Sequence, residues 1–176
     1  MTQSLNPETA IAALSQQSQE QFVASMDGIF EHSPWVAERA WANRPFDSVE
    51  TLHTAMVAAV EQASHQEQLD LICAHPELAG KEAAAGTLTK ESTGEQKGAG
   101  LDQCTADELI RLRSLNASYL KKFGFPFVIA VKGLTRHQIM DTVDARLKND
   151  AEVEFHTCLH EIGKIARFRL DAQFGA

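Results

Sequence analysis

His75 stands immediately before Pro76. Proline disfavours helix for the residue preceding it, so a helix ends here and the imidazole sits on a fixed, extended turn. An imidazole titrates near neutrality, which makes His75 a candidate general acid or base. The plainer alternative is a helix-terminal histidine bonded to backbone. Ser92-Thr93-Gly94-Glu95-Gln96 also reads two ways. Ser-x-x-Glu has capping-box spacing, with Ser92 as N-cap and Glu95 at the third helical position. The same helix start would offer free N–H groups and a positive dipole end to an anionic or ureido-bearing ligand. Glu95 would then be a carboxylate able to orient an imidazole. Arg167 and Arg169 fall on a last, mostly apolar helical stretch, where arginine either reaches solvent or meets a buried anion.

Other constellations are weaker. His156-x-x-x-His160 has the spacing of a metal pair on one helix face, but HEIGK fails the HExxH pattern at its second histidine. A metal-binding helical protein is thus one rival reading and a non-catalytic helical interaction module another; no metal site is expected. Neither Gly80-Lys81 nor Lys97-Gly98 fits a phosphate loop, and no GxSxG elbow occurs. Cys73, Cys104 and Cys158 are odd in number and widely spaced, as expected of reduced thiols in the cytoplasm. The net charge of −8, from 24 acidic and 16 basic residues without a basic run, argues against nucleic-acid binding. No stretch approaches the roughly 20 apolar residues of a membrane span. The start, Met1 to Pro7, does not read as a signal peptide, and Phe174-Gly175-Ala176 is not a peroxisomal tripeptide.

The elements that must hold these residues are helical. The chain has 176 residues, 44% of them hydrophobic, enough for one domain over 1–176 with its own core. Asn6-Pro7 reads as N-cap and first helical residue. Ser18, Ser48, Thr105 and Thr135 open further helices, three of them with capping-box spacing. Phe22, Met26, Ile29 and Phe30 fall on one helix face, as do Leu52, Met56, Ala59 and Val60. Ser33-Pro34 opens a helix carrying Trp35 that closes at Arg44-Pro45, and Glu67 to Ala74 forms another with Leu69 and Ile72 inward. Leu109, Leu112, Asn116 and Tyr119 mark one more, Ile139, Val143 and Leu147 the next, and Leu159, Ile162, Ala166 and Leu170 a last helix from about Asp150. From His75 to Gly100 the periodicity is lost, which predicts a long irregular loop. Phe123 to Val131 (FGFPFVIAV) has a helix-breaking Pro126 and β-branched and aromatic residues, and reads as a buried extended segment. The expectation is an all-α domain of about eight helices.

Several blocks occur together in this order: EHSPW at Glu31–Trp35, RPF at Arg44–Phe46, HPELAGK at His75–Lys81, LT-x-ES-x-x-EQ from Leu88 to Gln96, KFGFPFVI from Lys122 to Ile129 and RFRL at Arg167–Leu170. With them the sequence resembles the 2-oxo-4-hydroxy-4-carboxy-5-ureidoimidazoline (OHCU) decarboxylases of urate degradation, over residues 5 to 172. The resemblance implies an all-helical, cofactor-free, homodimeric enzyme acting on a small anionic substrate, OHCU, to give (S)-allantoin and carbon dioxide. It implies His75 as the catalytic histidine, Glu95 as its acidic partner and Arg169 as the site arginine, with Arg167 the fallback. It implies substrate contacts from Pro76, from Ser92, Thr93, Gly94, Glu95 and Gln96, and from the backbone of Phe127, Val128, Ile129, Ala130 and Val131. Members from eukaryotes often end in a peroxisomal tripeptide; its lack here points to the cytoplasm.

Overall fold

A computed structural model describes residues 6–175. Met1–Leu5 and Ala176, on which the reading of the chain start and part of the reading of its end depend, lie outside the described residues. Among the described residues there are ten α-helices and two short 3-10 turns, and no strand. They form two compact units, one of residues up to Gln68 together with those from Gly163 onward, the other Leu69–Ile162.

The first unit contains α1 (Pro7–Leu14), α2 (Gln19–Ser25), α3 (Trp35–Ala40), α4 (Val49–Glu61) and the start of α5 (His65–Cys73). Asn6 caps α1 and Ser18 closes a capping box with Gln21, as their spacing predicts; Ser48 starts α4 as expected and closes a further box with Thr51. The helix expected to carry Phe22 through Phe30 ends at Ser25, and turns take the chain on. Met26, Ile29 and Phe30 are buried all the same. Helix α3 packs on α4 and α2 on α3. Phe22 stacks on Phe46 with ring centroids 5.6 Å apart.

The second unit holds the rest of α5, then α6 (Lys81–Ala85), α7 (Lys90–Gly98), α8 (Ala106–Phe123), α9 (Arg136–Arg146) and the first part of α10 (Ala151–Phe174). The expected loop from His75 to Gly100 is thus mostly helix, in two short pieces, which raises the count from about eight to ten. Glycine masked the periodicity, but it sits where helices permit it: Gly86 ends α6 in the left-handed region at φ 69°, and Gly94 and Gly98 lie in α7 with open space around them. Thr105 and Thr135 cap α8 and α9 in complete capping boxes. Leu112, Tyr119, Ile139, Met140, Val143 and Ile162 are fully buried here. Leu69 and Leu159, expected inside, are only partly covered. After α8, Gly124 adopts φ 80° and the chain runs extended with residues 127–131 all buried, as the sequence predicts; Phe123 and Gly124, expected in the same segment, are instead the end of α8 and its exposed cap.

Candidate active site

The second unit brings three pieces of chain together. The first is the turn from His75 to Gly80 that follows α5. His75 is buried, and its Nδ1 lies 3.0 Å from the carbonyl oxygen of Leu71. A carbonyl can only accept, so Nδ1 carries the proton and the neutral ring holds its lone pair on Nε2. Leu71 is four residues back, in the last turn of α5. The histidine is therefore fixed by the helix end that Pro76 enforces.

The second piece is α7. Its N-cap is Thr89, whose hydroxyl accepts from the Ser92 N–H at 3.2 Å. Ser92, expected to be the cap, is the third residue of the helix, and Glu95 the sixth, so Glu95 plays no part in a capping box. Thr89-x-x-Ser92 offers the same hydroxyl spacing three residues earlier, and the earlier start gains a further turn of backbone bonds. Ser92, Glu95, Gln96 and Ala99 share one helix face, on which Ser92, Gln96 and Ala99 are buried and Glu95 half-buried. Thr93 and Gly94 lie on the opposite, exposed face. Gln96 Oε1 accepts the Ala79 N–H at 3.0 Å and so ties α7 to the His75–Gly80 turn. That turn is tight: Ala79 has φ 50°, and a Cβ at Gly80 would stand 2.8 Å from Glu77 Cβ.

The third piece is the extended segment. Val128 and Ala130 bond side chains of α9 and α10, and the Val131 carbonyl accepts the Leu134 N–H at 3.0 Å in the turn that follows. The Val128 carbonyl accepts from Arg146 Nη1 at 2.8 Å, and the Ala130 N–H donates to Glu161 Oε2 at 2.8 Å. In an extended chain the N–H and C=O of one residue point to the same side, and those of the next to the other. Val128 and Ala130 therefore face α9 and α10, and the backbone groups of Ile129 face away from them. Among the described residues no protein group bonds the Ile129 N–H or C=O.

Helix α8 holds the first and third pieces side by side. Asn116 Nδ2 donates to the Leu78 carbonyl at 3.0 Å, and the Tyr119 ring meets Phe127 edge-on at 5.2 Å. The two anchors are three residues apart on one face, about 4.5 Å along the helix axis. Behind the segment lies a buried polar cluster that sequence reasoning missed. Arg146 Nε binds Glu154 Oε1 at 2.7 Å, Tyr119 donates to the same oxygen at 2.6 Å, and the Arg146 guanidinium sits 4.4 Å from the Phe127 ring centre. Burial pushes the Tyr119 phenol far up and also raises the thiols of Cys73, Cys104 and Cys158. None of the thiols is thereby an activated nucleophile.

Arg169 belongs to the first unit. It is buried, and its Nη1 donates to Glu31 Oε2 at 2.8 Å and to the Gly28 carbonyl at 2.9 Å. Arg167 instead pairs with Asp171 and Glu50 near the surface. Of the two, Arg169 is the arginine that meets a buried anion, the Glu31 carboxylate. His156 and His160 are both exposed on α10. Among the described residues no three histidine, cysteine, aspartate or glutamate side chains converge in a way that could hold a metal ion.

Residues 15–171 match the family model for OHCU decarboxylase. A uric acid degradation bifunctional protein of Bacillus sp. (strain TB-90) is 46% identical over 92% of this chain, which spans 31% of that protein. The chain thus covers about a third of the length of this bifunctional relative. The 2-oxo-4-hydroxy-4-carboxy-5-ureidoimidazoline decarboxylase of Haloferax volcanii is 38% identical over 96% of this chain and 98% of its own length. Among solved structures, an (S)-allantoin synthase superposes with a TM-score of 0.74 at 29% identity, covering 93% of this chain and 53% of its own.

Proposed function

Because the chain belongs to the OHCU decarboxylase family, we propose that it converts OHCU to (S)-allantoin and carbon dioxide in urate degradation, without a cofactor. The substrate supplies its own electron sink. Its carboxylate sits on the carbon bearing the hydroxyl, beside a C=N carbon. As CO2 leaves, the pair of the broken C–C bond forms a new C=C, and the C=N pair moves to nitrogen, which takes a proton. The resulting enol takes a proton at the former C=N carbon while its hydroxyl proton departs. Delivery to one face gives one enantiomer.

The protein's work is to orient the carboxylate, steady developing charge and manage protons. His75 is the acid/base, with Nδ1–H anchored on Leu71 and Nε2 as the proton-handling nitrogen. Glu95 stabilises the imidazolium from the inward face of α7, where it is not committed to a helix cap. The backbone of Phe127–Val131, Ile129 foremost, bonds ring and ureido amides. Ser92 and Gln96 line the site, with Pro76 beside His75; Thr93 and Gly94 contribute through backbone alone. The resemblance assigns Arg169 to an oxygen anion or the ureido carbonyl of the substrate. The observation that carries this reading is the joint anchorage on α8, which sets the histidine turn beside an extended backbone able to read amides. The family match runs across both units, which supports one functional domain. We further propose a homodimer, on the resemblance, in the cytoplasm, a compartment that three free thiols suit.

The test is to follow freshly made OHCU by circular dichroism. Spontaneous decay gives racemic allantoin. The protein should speed its loss and leave an optically active product, and His75→Asn should lower the rate roughly 10²–10⁴-fold. An accelerated but optically inactive product would refute the proposed proton control.

A further inference from the structure

We propose that Arg146, locked by Glu154, is a positioning residue that fixes which edge of the Phe127–Val131 backbone is offered to substrate. This deepens the reading above and rests on it. Arg146 is a cation 8% exposed, and Glu154 is fully buried. Such a pair is costly to desolvate and is seldom the most stable way to fill a core. Its contacts say what it does. One guanidinium nitrogen holds Glu154, another holds the Val128 carbonyl, and the plane lies against the Phe127 ring. Glu154 is itself oriented by Tyr119 and by Asn149 Nδ2 at 2.9 Å. The fork of arginine is what lets one side chain reach a carboxylate and a carbonyl together.

The segment has no strand neighbour among the described residues, so its rotation about its own axis is left to the packing of its buried side chains, to the Leu134 N–H bond on the Val131 carbonyl and to the side chains that bond its backbone. Arg146 at Val128 and Glu161 at Ala130 pin one side, two residues apart. Rotation by one residue's register would turn the Ile129 N–H and C=O towards α10 and withdraw them from a ligand. An N–H and C=O pair on one residue matches the paired acceptor and donor of a ureide or cyclic amide. Arg146 therefore acts on specificity without touching substrate.

Two variants test this beside the unaltered protein. Arg146→Lys keeps the charge for Glu154 but has no fork. The combination Arg146→Met, Tyr119→Phe, Glu154→Leu replaces the whole cluster with apolar groups of similar volume, a change that buried ion pairs often tolerate. For each, helicity and melting are measured first, then KM, kcat and the pH profile of kcat on OHCU, and amide exchange at residues 127–131. In folded variants KM should rise at least about tenfold, the worth of roughly one well-placed hydrogen bond. Exchange at Ile129 should change relative to α8, and the pH profile should stay put. A folded variant with unaltered KM and exchange would overturn the inference, and so would failure of both variants to fold, which would make the cluster a folding element. If the unaltered protein itself leaves OHCU decay unchanged, the functional reading falls instead, while the exchange measurement still judges the positioning.

Discussion

Gln96→Met removes the one side-chain oxygen that holds the Ala79 N–H and changes little else, since methionine is similar in length and volume. Ala79 and Gln96 are 8% and 6% exposed, so water cannot readily replace the lost acceptor. An unsatisfied buried donor costs about 1–3 kcal/mol. For a chain of this length each kcal/mol moves the melting temperature by roughly 2–4 °C, so a drop of about 2–12 °C is expected. The turn should also move. Ala79 is held at φ 50°, a conformation that disfavours residues with a Cβ by roughly 1–2 kcal/mol, and the Gln96 bond helps to keep it there. Once the bond is gone the turn can relax, and His75 lies four residues upstream. A displacement of about 1 Å in a catalytic group can cost on the order of 10² in rate. The expected outcome is a kcat lower by about 10–100-fold, read from initial rates of OHCU loss. Gln96→Glu is the companion, because it retains an acceptor oxygen. It should melt closer to the unaltered protein, and a rise in its KM would show that the Gln96 amide also meets substrate. A Gln96→Met protein with unaltered melting and kcat would refute the argument that this bond sets the turn.

Thr89→Ala should cost about 1 kcal/mol by removing the α7 cap, whereas Glu95→Gln should melt normally and lose at least about tenfold in turnover; a Glu95→Gln enzyme with an unchanged pH profile would send the search for the acidic partner to Glu91. Acid stability offers an independent check in the first unit. The Arg39 guanidinium, helped by the Ser64 N–H and hydroxyl, holds the Glu67 carboxyl at about 2 against its ordinary 4.5. A folded pKa below the unfolded one stabilises the fold above 4.5, and that contribution is lost as pH falls from 4.5 towards 2. In Arg39→Gln the Glu67 carboxyl carbon should titrate closer to 4.5 by NMR; an unmoved titration would mean that the ion pair does not form in solution.

The caps at Asn6, Ser18, Ser48, Thr105 and Thr135 were legible because a cap is a local bargain between a side chain and backbone three residues on. Ser92 misled for the same reason. Thr89 and Ser92 present equivalent hydroxyls, and local spacing cannot rank two starts of one helix. Histidine before proline marked the end of α5 and the candidate base together. What stayed hidden was the set of long-range bonds: Gln96 to Ala79, Asn116 to Leu78, Arg146 to Val128 and Glu161 to Ala130 join residues 17, 38, 18 and 31 apart in the chain. A partial signal existed. Glu154 and Glu161 fall on the inward stripe of α10 with Cys158, Ile162 and Ile165, and Asn116 occupies an inward position between Leu112 and Tyr119. A polar group there must find a partner. Periodicity says that the partner exists, not which backbone group it is.

Those bonds also explain why an all-helical protein keeps one extended stretch. A strand within a sheet gives the backbone groups of successive residues to neighbours on both sides, and nothing remains for a ligand. Helix leaves still less, since each interior amide is spent four residues away. Past Phe123, the last residue of α8, the stretch avoids helix through Pro126 and has no strand to join among the described residues. Val128 and Ala130 are met instead by side chains, and side chains need come from one side only. Arg146 and Glu161 take Val128 and Ala130, and the alternation of the extended chain leaves the Ile129 pair on the other side. An open backbone edge at Ile129 and the burial of charged side chains are thus two faces of one arrangement. The buried arginine and glutamates are needed because they can hold an extended chain along a single edge.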